Sequence, residues 1–281
     1  PADRPASQAD WRWQTRMKRT NHPLLRLILV LAAAIILMPV AVLLLWSVTG
    51  RWPWPNLLPE SYTLRTVQEL LFGSANLPAL LWSSISLSAI VALLSTATGL
   101  LTARATELYS FRGKTLVHLG SILPLLVPGT VFAMGSQITL IWLGLSDTVA
   151  GVVLVHLICA APYSITILTD VTRALGSRYE EQAAVLGAAP LRAFWEVSFP
   201  ALLPGILSSF SMAFIISYSQ YFTTLMVGGG RVKTISLVLV PYIQSGDRAL
   251  SSIYSAAFVG SALLVFFIFE AFIRRCTKGS A

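Results

Sequence analysis

The stretch that decides the fold is LLRLILVLAAAIILMPVAVLLLWSV, residues 24–48, which is apolar throughout except for Arg26 and Ser47. A helix needs about 20 consecutive apolar residues to cross the hydrocarbon layer of a membrane. This run is longer than the apolar core of a cleavable signal peptide, and no small-residue cleavage site follows it. We therefore predict that residues 24–48 form the first of several retained membrane spans.

Further runs of similar length follow it along the chain. They cover residues 80–103, 115–143, 149–168, 200–226 and 252–273. The run at 115–143 contains Pro124, Pro128 and Gly129, so we expect it to kink. The predicted fold class is an all-α membrane protein with six transmembrane helices. The membrane domain covers residues 24–273, between an N-terminal segment at 1–23 and a tail at 274–281.

The composition agrees with this fold. Hydrophobic residues make up 55% of the chain and charged residues 11%, whereas soluble domains contain about 25% charged residues. The net charge is +8, but the basic residues lie in short clusters between apolar runs and form no stripe that could follow a phosphate backbone. We expect membrane lipid as the surroundings and no nucleic acid partner. The two cysteines, Cys159 and Cys276, lack metal-ligand spacing, so no metal site is predicted.

The basic clusters also predict the orientation of the spans. Most lie before the first span, after the second, after the fourth and after the sixth: Arg4, Arg12, Arg16, Lys18, Arg19, Arg26, Arg104, Arg112, Lys114, Arg173, Arg178, Arg192, Arg274, Arg275 and Lys278. Because basic loops stay in the cytoplasm, we predict that both termini are cytoplasmic. On the opposite side, residues 64–72 read as a short amphipathic helix, and Pro241 and Gly246 argue against a further span within 231–250.

The second span has small residues at intervals of four, namely Ser84, Ser88, Ala92 and Thr96. Small residues at this spacing allow helices to approach closely in lipid. Two interpretations remain open at this point, packing inside one subunit or an interface between subunits.

The loop between the fourth and fifth spans, residues 170–199, has the pattern helix, turn, helix. Glu180 and Glu181 favour the positive end of a first helix, and Gly187 can adopt the left-handed conformation that ends it. Pro190 suits the start of a second helix, and we expect Pro200 to close this element and open the next span. An apolar face on such a loop predicts a protein partner; its members are Val185, Leu186, Phe194 and Trp195.

This loop resembles the EAA loop of ABC importer permeases, whose pattern is Glu-Ala-Ala, three residues, Gly, nine residues, Ile-x-Leu-Pro. Glu181, Ala183 and Gly187 match the first part, and Gln182 stands where the first Ala is usual. Val197-Ser198-Phe199-Pro200 is a conservative version of the last part. Phe111-Arg112-Gly113-Lys114 and Leu123-Pro124-Leu125-Leu126-Val127-Pro128 resemble the same class, closest to the group that serves polyamines, thiamine, ferric iron and small oxyanions.

The resemblance implies a division of labour in a bacterial inner membrane. Two permease subunits form the solute pathway, each docking a coupling helix into an ATPase subunit, and a periplasmic binding protein delivers the solute. The second permease could be a related chain or a copy of this one. ATP and Mg²⁺ would bind the partner ATPase, and no cofactor would bind this chain. The residues implied in ATPase coupling are Glu181, Ala183, Ala184, Leu186, Gly187, Phe194 and Pro200. Phe194 and Trp195 could equally serve simple packing.

A polar and aromatic band in the fifth span is the candidate solute pathway. Polar groups at membrane depth usually face the protein interior or a cavity. The candidates are Ser217, Tyr218, Gln220, Tyr221 and Thr224, with Gln137 from the third span as a weaker one. The other interpretation of the band is hydrogen bonding between helices, and His156 is more simply a packing residue. Similar permeases often have an acidic residue in this segment, and Gln220 makes a strongly cationic solute less favourable.

Other function classes fit less well. Gly113-Lys114-Thr115 lacks the preceding glycine-rich loop of a nucleotide site, and no catalytic set of side chains lies in a plausible pocket, so we expect a transporter subunit and not an enzyme. An ATP-independent secondary transporter would place ionisable residues within its spans. A membrane scaffold protein would explain the spans and a partner-binding loop, but not the spacing from Glu181 to Pro200.

Overall fold

The chain is almost entirely helical in the computed structural model, which describes residues 23–53, 55–73 and 76–278. The helices are α1 Pro23–Ser47, α2 Arg65–Phe72, α3 Leu77–Leu108, α4 Lys114–Leu126, α5 Gly129–Trp142, α6 Val149–Leu175, α7 Arg178–Val185, α8 Pro190–Ala193, α9 Phe199–Ser219, α10 Phe222–Gly228, α11 Ile235–Ser245 and α12 Arg248–Lys278. A short antiparallel hairpin of β1 Thr49–Arg51 and β2 Ser61–Tyr62 joins α1 to α2. Residues 1–22, which include the basic residues of the predicted N-terminal segment 1–23, lie outside the described residues, as do residues 279–281.

Among the residues that the structure describes, five helical stretches are long and apolar enough to cross a membrane. They are Arg26–Ser47, Leu77–Leu108, Val149–Leu175, Pro190–Ser219 and Arg248–Ala271. α4 and α5 would form a sixth span, but the two helices are bent by 109°. Val127, between them, is extended with ψ 127°, the conformation that a following proline imposes. The predicted kink therefore occurs at Pro128, while Pro124 lies inside α4.

The bent pair α4–α5 carries the chain across the molecule once. α3 and α6 pack side by side and run in the same direction, because Ser95 Oγ lies 2.8 Å from Ser164 Oγ and Glu107 bonds Arg173 near the ends of both helices. We call the end that carries α7 and α8 the coupling end, and the opposite end the far end. Since α3 finishes at the coupling end and α6 starts at the far end, α4 and α5 together must cross.

The outermost helices place both ends of the described chain at the coupling end. α1 and α12 pack against each other, and the Arg248 guanidinium at the start of α12 lies 5.4 Å from the Trp46 ring at the end of α1. The two helices therefore run in opposite directions, with their contact at the far end. The described part of the chain makes six passes when the bent pair is taken as one, as predicted, and it starts and finishes on the side of α7 and α8.

The core lies between α3, α6 and α9, and small residues allow their close approach. A Cβ on Gly99 would lie 3.0 Å from Ser164 Cβ, and one on Gly205 would lie 2.8 Å from a methyl group of Val171. The four small residues at intervals of four in the second predicted span, Ser84, Ser88, Ala92 and Thr96, are all buried. They therefore serve packing inside this subunit, which decides between the two interpretations left open by the sequence.

Two boundaries of the fifth predicted span, residues 200–226, are wrong. The helix begins earlier, because α8, a π-helical turn at Phe194–Ser198 and α9 follow one another without a break. Pro200 therefore does not close the loop. The Phe199 N–H donates to the Phe194 carbonyl five residues back, and this wider turn accommodates the missing N–H of Pro200.

The span also ends earlier than predicted, because α9 stops at Ser219 and Gln220 is extended with ψ 112°. α10 then forms a separate short helix. At the far end, α2 confirms the short helix predicted at 64–72, with Thr66 and Leu70 buried. α11 has 11 residues, about 16 Å at 1.5 Å per residue, so the segment 231–250 contains no further span.

Candidate functional site

The predicted coupling loop is a compact helix–turn–helix, which we call the coupling element, residues 178–198. Gly187 has φ +86°, and its N–H donates to the Ala184 carbonyl at 2.9 Å while the Ala188 N–H donates to the Ala183 carbonyl at 3.0 Å. These two bonds form the glycine-dependent motif that ends many helices. The predicted roles of Gly187 as a helix end and Pro190 as a helix start are both present in the structure.

The tip of the coupling element, defined as Val185, Leu186 and Leu191, projects apolar side chains away from the protein. Val185 and Leu186 are each 88% exposed, and Leu191 is also exposed. Trp195 is exposed and in edge contact with Phe194. Exposed apolar side chains at a turn between two helices are typical of a docking surface for another protein.

The other predicted coupling residues lie around this tip. Glu181 and Ala184 are exposed on α7, Ala183 is half-buried, and Pro200 is exposed in the first turn of α9. Phe194 is half-buried and points to the base of the element, where the Arg104 guanidinium lies 4.5 Å from its ring centre. Phe194 therefore packs against α3, which leaves Trp195 as the aromatic residue beside the tip.

The base of the coupling element is held to α3 by contacts that sequence reasoning missed. Arg104 Nη1 and Nη2 donate to Glu180 Oε1 and Oε2 at 2.8 and 3.1 Å. Ser198, at the end of the π-helical turn and buried, donates to the same carboxylate. The hydrogen bond from Arg104 lowers the pKa of Glu180 below its ordinary value, as does that from Ser198, while burial opposes the shift. The sequence contained one signal for this contact, namely a further glutamate, Glu180, directly before the motif residue Glu181.

A second ion pair at the same end has a different place. Arg173 Nε and Nη2 donate to Glu107 Oε2 and Oε1 at 3.0 and 3.1 Å. This pair joins the end of α3 to the end of α6, and the Arg173 side chain is 62% exposed. It ties two spans together, whereas the Arg104–Glu180 pair ties a span to the coupling element.

The polar band of the fifth span surrounds the break at Gln220. The Gln220 carbonyl accepts from Thr224 Oγ1 at 2.8 Å and from Ser236 Oγ at 3.0 Å, and its side-chain Oε1 accepts from Thr223 at 2.8 Å. These hydroxyl groups supply bonds that the interrupted helix no longer provides. Hydrogen bonds from residues of α10 and α11 therefore stabilise the interruption of the helix at Gln220.

His156 of α6 connects both sides of this break. Its Nδ1 lies 2.9 Å from Ser217 Oγ on α9, and its Nε2 lies 3.0 Å from Thr224 Oγ1 on α10. All three side chains are buried. The structure thus places His156 as a hydrogen-bonded packing residue, the simpler of its two interpretations.

The predicted pathway residues divide into two groups. Ser217, Tyr218 and Thr224 are buried and bonded inside the subunit, Tyr218 through its hydroxyl to Ser261 at 2.6 Å. Gln220 and Tyr221 are half-buried at the break, and Gln137 is half-buried on α5, which packs against α10. Gln220 and Tyr221 are therefore the two candidates of the band that are not fully buried. Within the described residues, no cluster of His, Cys, Asp and Glu side chains could hold a metal ion.

A family model matches about two thirds of the chain. The family described as "Binding-protein-dependent transport system inner membrane component" matches residues 95–278, which include the whole coupling element and the polar band. Fold comparison agrees, since a chain from the crystal structure of a bacterial ABC transporter involved in the import of the acidic polysaccharide alginate superposes with a TM-score of 0.67. The match covers 96% of this chain and 99% of that chain at 16% identity, so it shows the fold.

Relatives of the chain include permease proteins that are named for different solutes. The chain is 33% identical over 126 residues to the molybdenum transport system permease protein ModB of Mycobacterium tuberculosis, which covers 44% of this chain and 48% of ModB. It is 24% identical over 241 residues to the probable sulfate transport system permease protein of Helicosporidium, covering 80% and 85%. The chain thus spans about half the length of ModB. With the family match across residues 95–278 and the shared fold, the chain belongs to the binding-protein-dependent transport system inner membrane components, a family of membrane permeases and not of enzymes.

Proposed function

We propose that the chain forms half of the solute pathway of an ABC importer and couples ATP hydrolysis by a partner ATPase to uptake. The observation that supports this most directly is the exposed apolar tip on an element whose base is anchored to α3. A rigid element with an apolar tip can fill a cleft in a partner and pass on its movement. The Glu181 carboxylate, one turn before the tip and exposed, is available to a basic residue of that cleft.

The proposed assembly contains further subunits. ATP and Mg²⁺ bind the ATPase subunits, and this chain binds no cofactor. A second permease, a related chain or a copy, completes the pathway, and a periplasmic binding protein delivers the solute at the far end. An open, largely apolar groove of about 590 Å³ between α5 and α6 includes Val131, Gly135, Leu154 and Ile158. It offers a surface for the second permease.

The orientation proposed for this assembly puts the coupling end in the cytoplasm of a bacterial cell, at the inner membrane. Arg104, Lys114, Arg173 and Arg192 all lie at the coupling end or in the loops that reach it. Basic residues in short loops remain on the cytoplasmic side. The far end, with α2 and the β-hairpin, then faces the periplasm.

The solute class that we propose is a small oxyanion. Gln220 and Tyr221 at the break offer neutral donors and no carboxylate, which suits an anion better than a polyamine. The two relatives described above are named for molybdenum and sulfate transport, which supports this choice. Thiamine, polyamines and ferric iron remain the alternatives. Uptake of labelled molybdate, sulfate, putrescine, thiamine and ferric iron by cells with and without the chain distinguishes the classes.

The docking role of the tip is tested by Leu186→Asp, with Leu57→Asp as the control. Both leucines are strongly exposed, but Leu57 lies in the hairpin loop at the far end. A charge at Leu186 should abolish co-purification of the ATPase with the tagged chain, because an aspartate cannot enter an apolar cleft without a partner. Leu57→Asp should leave it unchanged. Equal ATPase recovery with both variants would contradict the proposed tip.

A further inference from the structure

The coupling element has three connections to the core, and one of them is not covalent. It follows α6 and precedes α9 in the chain, so both of these core helices are joined to it by the backbone. The third core helix, α3, reaches it through Arg104. This side chain bonds Glu180 in the first half of the element and covers Phe194 in the second half.

The Arg104 contacts have the geometry of a rigid joint. Two parallel N–H···O bonds fix the orientation of a guanidinium against a carboxylate, which one bond does not. The side chains of Arg104 and Glu180 are only 17% and 24% exposed, so solvent weakens their attraction less than that of a surface pair. The buried Ser198 hydroxyl fixes the same carboxylate from the π-helical turn.

We propose that Arg104, Glu180, Phe194 and Ser198 form a clamp that makes the coupling element and α3 move as one body when the partner ATPase displaces the tip. This inference rests on the proposed function. The four are positioning residues, since they act on the pathway through α3. With the clamp intact, a movement of the tip reaches all three core helices. Without it, the backbone carries the movement to α6 and α9 while α3 lags behind.

A purely structural role for the pair predicts a different result from the same variants. Arg104→Ala alone leaves the Glu180 carboxylate half-buried without its cation, which destabilises the protein in either case. The double variant Arg104→Ala/Glu180→Ala removes both charges, so it leaves no half-buried charge unpaired and avoids that part of the cost. If the pair only stabilises the fold, the double variant regains thermal stability and native movement together. If the pair is a clamp, the double variant regains stability but not the common movement.

The experiment measures the distance between the coupling element and α3 by pulsed electron paramagnetic resonance. Spin labels are attached at Gln182→Cys on α7, outside the tip, and at Trp82→Cys on α3, both exposed positions, after Cys159 and Cys276 are replaced by alanine. The complex with its ATPase is reconstituted in nanodiscs with one labelled chain per complex. The stretch of α3 from Trp82 to Arg104 is about 33 Å long at 1.5 Å per residue, within the range of the method.

We expect the native clamp to give the same narrow distance distribution in the nucleotide-free and the ATP–vanadate states. Arg104→Ala/Glu180→Ala should shift the mean by several ångström between the two states and broaden it. Glu107→Ala/Arg173→Ala is the matched control, because it removes the ion pair that joins α3 to α6 at the same end. It should behave like the native clamp.

Two results would overturn the clamp alone. The first is a distance that changes with nucleotide state when the native pair is present. The second is a double variant that gives the same distances as the native chain. Both results count only in a complex that retains its ATPase. A chain with native clamp residues that retains no ATPase would overturn the proposed function, and the clamp with it.

Discussion

Two adjacent glutamates at the start of α7 have different surroundings. Glu180 turns towards the protein, where Arg104 and Ser198 hold its carboxylate, and Glu181 faces outwards. Since neighbouring residues of a helix point about 100° apart, a two-residue motif of this kind can serve an internal joint and an external contact together. The family motif identifies Glu181, but the structure shows the contacts of Glu180.

Glu180 makes the stability of the coupling end dependent on pH. Its pKa is lowered from 4.5 by Arg104, so the charged pair stabilises the folded state above the pKa of the unfolded chain. That contribution is lost as the pH falls through the lowered pKa, because protonation removes the charged acceptor. We expect the difference in Tm between the native chain and Glu180→Gln to be largest near neutral pH and to vanish in acid. A difference that stays constant from neutral pH to acid would contradict this.

Gly187 is required for the turn between α7 and α8 because of its backbone conformation. A β-branched residue at φ +86° is strongly strained, so Gly187→Val should distort the tip and uncouple uptake from ATP hydrolysis while the chain still inserts. Gly230→Val is the control, since Gly230 has φ +77°, equally open surroundings and a place at the far end. The readout is solute-stimulated ATPase activity of the purified complex, which should fall about tenfold or more for Gly187→Val, a free energy of about 1.4 kcal/mol. Equal activity of both variants would remove the coupling role from this turn.

The bounds of the helices could be predicted where the local sequence determines them. They could not be predicted where contacts between distant parts of the chain determine them. The span lengths follow from hydropathy and the end of α7 from Gly187. The break at Gln220 depends on Thr224 and Ser236, whose hydroxyls come from helices that fold against it. Likewise, Arg104 and Glu180 are 76 residues apart, and nothing in the local sequence of either predicts the other. From the sequence alone, Arg104 is one of the basic residues that predict the orientation of the spans. Its contact with Glu180 forms only when α3 and α7 pack together.

His156 holds α9 and α10 together across this break. His156→Leu leaves the buried Ser217 hydroxyl without its partner and removes one of the two bonds of Thr224 Oγ1, and a buried group left unsatisfied costs about 1–3 kcal/mol. We therefore expect a clear fall in Tm of the detergent-purified protein. His118→Leu provides the comparison, because His118 is exposed near the start of α4, and it should leave the Tm unchanged. Equal Tm values for both variants would show that the network around the break does not support the fold.

At the scale of the whole molecule, the number of passes was predictable but the path of one was not. Hydropathy treats residues 115–143 as one span with a kink, and the structure bends it by 109°. The parallel packing of α3 and α6 still requires the α4–α5 pair to cross. The even number of passes therefore agrees with the sequence, while the side on which the coupling end lies stays a prediction from the basic residues.

That orientation can be measured by labelling single cysteines in intact cells. In a chain whose two native cysteines are replaced by alanine, Leu57→Cys at the far end should react with a membrane-impermeant maleimide. Val185→Cys at the tip should react only after the membrane is opened, because the coupling end is expected in the cytoplasm. The opposite labelling pattern would place the tip outside, where no ATP-driven partner could reach it.

The central claim is that this permease works through a partner ATPase. The most direct test is to purify the tagged chain from its native host in mild detergent and identify the co-purified proteins by mass spectrometry. We expect a nucleotide-binding subunit in stoichiometric amount, together with a second permease unless the chain pairs with itself. Recovery of the folded chain without any nucleotide-binding subunit, under conditions that preserve other membrane complexes, would contradict the account and favour a secondary transporter or a scaffold.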